Sequence, residues 1–537
     1  MHSWLSSSLV RHYPASHALN RPTLHLETLR GGQISFQAAF RIEDLDLVVA
    51  ASVRAPEGLS ARVRRVGYVP VPHFNVHAPL SEVEGVGHIP GYVPDPLFDE
   101  NTIHAGPYET HAFWITLQAA RDAVPGAYPV TVTLTPADGD PVELCATIEV
   151  HRAVLQPRRN FPVIHWFYAD AICHWYGTEV WEERFWPTVE PFVRDVVAHG
   201  QDALCVPMFT QPTDGVKRPT QLLKVTKDGE RYTFDWTLVR RWLEMAKACG
   251  INYFEWTHLF TQWGVKNAIR IYEGHGETGA LLWPPETGAV SPTYRAFLAQ
   301  LLPELKRFLD AEGIFERSFF HVSDEPHGEE HLCNYRAARE MLRELAPWMR
   351  VMDALSEISF ARAGLTDIPV PIITNAPQFV REGFEPWTYF CCGPREDYLN
   401  RLLDTPLVKV AMSGWLFYRT KVRGFLHWGY NYWYESQTQH LIDPFTVLDG
   451  LRWPGWAYGD THLVYPGPDG PIDALRWEVW AESLQDYTLL QMAGIEPDDS
   501  SLAAIHDYAE FPRDERWILR RRHELLTILD AQAVQKV

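Results

Sequence analysis

At 537 residues the chain is too long for one ordinary domain, and long enough for a (β/α) barrel beside a smaller domain. A composition of 46% hydrophobic and 22% charged residues is that of a globular protein, and a net charge of −20 argues against nucleic acid or an anionic membrane as partner. The seven cysteines (Cys145, Cys173, Cys205, Cys249, Cys333, Cys391 and Cys392) are odd in number and lack a C-x-x-C pair, so they read as a reduced, buried set rather than a disulfide framework or zinc site.

Residues 1 to about 155 read as all-β. Ile34–Phe40 alternates partly, and Ala112–Leu117 and Tyr128–Leu134 are strand-rich and separated by Pro125-Gly126. Pro136–Asp140 is a turn ahead of the strand Val142–Val150. Short strands bounded by turns predict a β-sandwich, with the Pro-rich stretch Pro90–Pro107 as a long ordered loop. From about 160 the rhythm changes. Strands predicted at Phe161–Tyr168, Ala203–Phe209, Tyr253–Phe260, Ser318–Ser323, Arg350–Ala354, Val370–Thr374, Thr388–Cys392 and Gly424–Trp433 alternate with helices such as Asp235–Cys249, Pro292–Glu312, Glu329–Leu345 and Pro394–Leu403. Eight such strands predict an α/β fold, a (β/α)8 barrel over 156–495, preceded by the sandwich at 1–155 and followed by a helical segment, 496–537, packed on the barrel. The helical pattern of the tail begins near 474, and its basic run Arg520-Arg521-Arg522 reads as a solvated face. Met1–Asn20 lacks a basic start and an apolar run, and no segment reaches about 18 consecutive apolar residues, so a cytoplasmic protein is expected.

In a barrel the chemistry sits at the carboxyl ends of the strands. Those positions hold Trp166 and Tyr168, Trp256 and His258, Asp324 and Glu325, Asp353, Asn375, Tyr389, and then Trp428, Tyr430, Asn431 and Trp433. The chain has 21 tryptophans, and flat aromatic faces are what sugar rings stack on, as well as what fills cores. Together these residues describe a polar, aromatic-lined pocket suited to a sugar. The sharpest signal is Ser318–His327. Phe319, Phe320 and Val322 are strand formers, and Pro326 takes the chain out of the sheet directly after two adjacent acids. Part-buried, such a pair cannot both ionise cheaply, which suits proton transfer. First-turn acids of the following helix are the plainer role for Asp324 and Glu325, and position alone leaves both open.

The stretches His258–Gly264, His321–Pro326 and Gly424–Trp433 resemble glycoside hydrolase family 123 and its relatives in the domain of unknown function 4091 group. Pro94–Leu97, Gly459-Asp460, Tyr465-Pro466-Gly467 and Arg476-Trp477-Glu478 match as well, so the resemblance spans most of the chain. One departure lies in the tail, where Ala481-Glu482-Ser483 stands in place of the family's usual Arg-acid-Gly. The resemblance implies an N-terminal β-sandwich, a (β/α)8 barrel and a retaining, substrate-assisted β-N-acetylgalactosaminidase whose Asp-Glu pair falls on Asp324 and Glu325.

Two carboxyls of an ordinary retaining glycosidase flank the scissile bond about 5 Å apart, a placement that neighbours at one strand end reach poorly. Substrate assistance removes that difficulty, because the acetamido oxygen attacks C1. On this reading Glu325, with a raised pKa, is the general acid and base, and Asp324, charged throughout, holds the acetamido N–H and the cyclised intermediate. Tyr389 would donate to the acetamido oxygen, Trp428 and Trp433 would wall the acetyl pocket, and Trp166, His258, His321, Asn375 and Asn431 complete the expected sugar contacts. Each has a core-packing alternative. No metal-ligand spacing or cofactor motif is present, so none is expected; the partner expected is a glycan or glycoconjugate with terminal β-linked N-acetylgalactosamine. Two other functions remain open: a two-carboxylate glycosidase pairing Glu325 with Glu255 or Asp353, and a sugar-binding barrel without catalysis.

Overall fold

The computed structural model describes residues 1–75 and 77–535. The chain begins with two five-stranded sheets. The first runs in the order His2–Ser7, Gln33–Arg41, Thr110–Ala119, Leu59–Val71 and Gly91–Phe98. The second runs Thr23–Arg30, Val142–Val154, Gly126–Pro136, Leu47–Arg54 and Thr102–Ala105. All pairings are antiparallel except that of Val142–Val154 with Thr23–Arg30. Phe36, Phe113 and Ile115 of the first sheet share one apolar core with Val130, Val132 and Ile148 of the second.

One expectation changes here. Pro90–Pro107 is no loop, because it contains the strands Gly91–Phe98 and Thr102–Ala105. Both lie at sheet edges, where a strand tolerates the missing N–H groups of Pro94 and Pro96. Ile34–Phe40 belongs to a strand buried on both faces, since the helix Leu475–Ala493 covers its outer side and Glu482 accepts the Ser35 N–H at 3.0 Å. Alternation is therefore blurred where the sequence shows it only partly.

The second region is mixed α/β. Strands form at seven of the eight predicted places and the sixth is displaced, sharing only Val370 with the predicted Val370–Thr374; each is short: Val163–His165, Ala203–Val206, Tyr253–Trp256, Ser318–Phe320, Met352–Ala354, Ile368–Val370, Thr388–Tyr389 and Phe425–His427. Their pairings are parallel. Phe425–His427 lies between Val163–His165 and Thr388–Tyr389, and Tyr253–Trp256 lies between Ala203–Val206 and Ser318–Phe320. Single parallel bridges, Phe320 to Val351 and Ile372 to Tyr389, connect these sets to the Met352–Ala354 and Ile368–Val370 pair. The helices Thr237–Cys249, Pro292–Ala311 and Gly328–Leu345 form as predicted. Pro394–Leu403 does not, because Arg395 and Asn400 spend their side chains on the carbonyls of Cys391, Cys392 and Pro394 in a non-helical turn.

The tail is helical over Leu475–Ala493 and Glu515–Gln535. Its basic run is not uniformly solvated. Arg520 is exposed, whereas Arg522 turns inward to bond Asp486 at 2.7 and 2.9 Å and reach Glu482. Nor are the cysteines a buried set, since Cys145 and Cys333 are exposed and only Cys173 and Cys205 are fully buried. Among the described residues no helix is long and apolar enough to cross a membrane.

The two regions share an apolar core, to which Trp4, Val66, Val69, Leu97 and Trp114 contribute from the first, and buried charge also crosses between them. Arg64 of the first sheet bonds Asp473 at 2.6 Å and Glu478 at 2.5 Å. Asp95 accepts from Arg476 through both oxygens at 2.9 Å and from the Tyr465 hydroxyl at 2.6 Å. Ser8 donates to Glu482 at 2.8 Å.

Candidate active site

The strand Ser318–Phe320 ends where the chain begins to track a long irregular connection. The backbones of Leu259 and Phe260 donate to the carbonyls of His321 and Val322, and Trp263 N–H donates to the Asp324 carbonyl at 3.0 Å. This path carries Asp324 and Glu325 into a pocket lined also by Trp166, Asp214, Gln262, Trp263, Tyr389, Trp428 and Trp456. Asp214, Trp263 and Glu325 all have positive φ, at 57°, 59° and 46°. Non-glycine residues held there store backbone strain, and three around one pocket mark a built site.

Each acid has its own holder. Gln262 Nε2 donates to Asp324 Oδ2 at 2.7 Å, while its amide oxygen accepts the Asp214 N–H at 2.9 Å, which fixes the amide's orientation. The Tyr389 hydroxyl donates to Glu325 Oε1 at 2.6 Å. Asp324 is 5% exposed, and burial, then Glu325 and Asp214, push its carboxyl well above the usual carboxylate range. The sequence reading keeps Asp324 charged throughout, whereas its burial favours the neutral form in the free protein.

Beneath the pair lies a closed polar chain. His321 faces Glu255 through Nε2 and Asp353 through Nδ1, the latter at 3.1 Å. Both carboxylates favour the imidazolium strongly enough to outweigh burial, the largest single cause and one that lowers it, so its pKa rises to about 10. Asp353 also accepts the N–H groups of Val322 and Ser323 and the Tyr335 hydroxyl. Glu255 accepts the indole N–H of the pocket residue Trp166 at 3.1 Å. One buried triad therefore fixes both a pocket wall and the backbone that delivers Asp324. His258 stacks on His321 with ring centroids 4.3 Å apart and is held neutral, by burial first and then by His321. His258, His321 and Asp353 bring potential ligand atoms within 4.8 Å of one another, but both nitrogens of His321 already carry protons toward carboxylates, so a cation there would have to displace one.

The other expected contacts divide. Trp166, Tyr389 and Trp428 line the pocket, while His321 and His258 sit below it. Trp433 is fully buried, donates to the Val464 carbonyl and packs on Trp175 and Phe192. Asn431 is also buried, clamping the Tyr168 backbone through N–H and C=O. Asn375 precedes the short helix Ala376–Arg381 and donates to the Ser356 carbonyl. None of these three is a lining residue. Sequence reasoning passed over Asp214, Gln262, Trp263, Cys391 and Trp456. Gln262 and Trp263 stand in the resembling stretch His258–Gly264, which was signal enough to find them. Asp460, raised to about 6 mainly by burial, accepts from both Trp428 and Trp456 indoles at 2.9 Å and so aims two walls at once.

An acid pair at the exit of a parallel strand, walled by tryptophans, suits proton transfer on a bound sugar. The chain belongs to glycoside hydrolase family 123: residues 166–493 match the model of the glycoside hydrolase 123 catalytic domain. It is similar in fold to a family 123 glycoside hydrolase from Clostridium perfringens studied for glycolipid glycan hydrolysis, with a TM-score of 0.76 at 14% identity over 99% of this chain and 98% of that one. A GH5 xyloglucanase from Bacteroides ovatus (TM-score 0.31, 10% identity, 87% of this chain and 98% of that one) aligns far less well. So does a family 39 glycoside hydrolase from Bacteroides cellulosilyticus WH2 (0.35, 9%, 89% and 82%). No curated protein sequence matches the chain.

Proposed function

We propose that the chain is a retaining exo-β-N-acetylgalactosaminidase that works by substrate assistance, its eight parallel strands closing a (β/α)8 barrel behind an N-terminal sandwich. The observation that carries the reading is the division of labour in the pocket. Asp324 is held by an amide donor, Glu325 by a phenol, and both reach one cavity. The acetamido oxygen of the bound sugar attacks C1 while Glu325 protonates the departing oxygen. Asp324 accepts the acetamido N–H and faces the positive charge of the cyclised intermediate. Glu325 then takes a proton from water, which opens the ring with net retention. Burial favours the neutral form of Asp324 in the free enzyme, and a bound N–H donor beside a developing cation draws it back to the carboxylate.

The Clostridium perfringens relative is described as acting on glycolipid glycans. Carried over to this chain, that supports a glycan substrate; that it ends in β-linked N-acetylgalactosamine is the reading the family resemblance implies. The two-carboxylate reading loses support, because Glu255 and Asp353 are buried against His321 and are not lining residues. A panel of nitrophenyl β-glycosides with and without the 2-acetamido group tests the proposal. Preferred turnover of the N-acetylgalactosaminide, with retention seen by NMR, is expected; equal turnover of the plain β-galactoside would sink substrate assistance.

A further inference from the structure

Directly after Tyr389 and Phe390 come two cysteines. Cys391 lines the pocket with Glu325, Tyr389 and Trp428. Its sulfur lies 3.8 Å from that of Cys392, and both thiols are free and half-buried. The backbone beneath them is pinned. Cys391 N–H donates to the Gly393 carbonyl at 2.9 Å, Asn400 Nδ2 donates to the Cys391 carbonyl at 2.9 Å, and Arg395 Nε donates to the Cys392 carbonyl at 2.5 Å. Two soft donors are thus held together, on a fixed turn, at the edge of the sugar pocket.

We propose that Cys391 and Cys392 form a dithiol site that chelates a trivalent arsenical, and that its occupation blocks the pocket. Thiolate sulfur is the soft donor that such a centre selects. With phenylarsine oxide the As=O bond breaks, two As–S bonds form, and both thiol protons leave with the oxygen as water. Arsenic stays trivalent, so no oxidant or reductant is consumed. The second As–S bond closes within one molecule, and that intramolecular step is worth about 10²-fold or more over a single thiol. Monofunctional alkylation should be slow by comparison. The hydrogen bond with Cys392 and burial hold the Cys391 thiol well above the usual range, and the thiolate is the nucleophile.

The blocking half rests on the proposed function of the pocket; the binding half does not. The full-length protein is therefore titrated with phenylarsine oxide while intact mass and aryl-glycoside turnover are followed together. A single adduct is expected, with activity lost in proportion. 2,3-Dimercaptopropanol should restore that activity, and the same concentration of 2-mercaptoethanol should not. Cys392→Ser should raise the half-inhibitory concentration by about 10²-fold. Removing the exposed single thiols, as Cys145→Ser and Cys333→Ser, should leave it unchanged. No adduct, or equal sensitivity of Cys392→Ser, would overturn the dithiol site. An adduct that leaves turnover intact would overturn the blocking.

Discussion

Asp324 and Glu325 are adjacent in sequence yet sit in different surroundings, and their variants should fail differently. On the proposed mechanism Glu325→Gln removes the proton donor. Turnover of substrates with poor leaving groups should fall about 10²–10⁴-fold, with activated aryl glycosides partly spared, as steady-state rates across a leaving-group series would reveal. Asp324→Asn keeps the size of the side chain and an acceptor for Gln262 but cannot carry charge. Its loss should appear in kcat more than in KM, because the charge it answers develops along the reaction. The same substitution should stabilise the fold. A carboxyl whose folded pKa is raised binds more protons in the native than in the unfolded state, so stability falls as pH climbs from 3.8 through the raised value. Thermal melts should show Asp324→Asn level with the parent at acid pH and above it at neutral pH.

At the scale of elements, the strand exit 321–324 is held from below by Asp353 and from the side by 259–263. His321→Gln should therefore lower kcat with little change in KM, since it loosens what aims Asp324 without touching sugar. It should also change the pH dependence of stability. A histidine raised in the fold stabilises fully below 6.5 and loses that contribution as pH rises toward about 10. The parent's melting temperature should fall across that window, and the variant's should fall less. An unchanged slope would remove the imidazolium from the account. The strand–helix alternation and the acid pair were legible in the sequence, because each rests on local pattern. Trp433 and Asn431 lie away from the pocket lining because the strand stops at His427, after which period-two reasoning about side-chain direction fails. Asn375 lies outside the lining for a related reason: the strand before it ends at Val370 and Asn375 already caps a helix. Asp214 lies in an irregular connection without periodicity, so only the folded chain brings it to the pocket.

At the scale of the molecule, the N-terminal sheets and the region bearing the pocket meet across ion pairs shielded from water. Arg64 is 1% exposed and faces both Asp473 and Glu478, with His199 held charged nearby by Asp195 and Asp473 despite its burial. Arg64→Met should cost about 3–5 kcal/mol in chemical denaturation, because it strands two buried carboxylates rather than removing a pair. Turnover at low temperature should survive, since the pocket is built elsewhere.

That seam also bears on inheritance. A seam of apolar contact alone would tolerate exchange of either region for a distant cousin's, because many shapes of oil fit one another. Here Trp4, Val66, Val69, Leu97 and Trp114 do join the apolar core of the second region, but Arg64, Asp95, Arg476, Glu478 and Glu482 must also find their opposites across the boundary. A hybrid carrying a relative's first 155 residues would bring its own pattern of charge, and the two halves would have to change together. The catalytic portion is in this sense not a portable cassette, and its history of substitutions should be tied, residue for residue, to sheets that never touch the sugar.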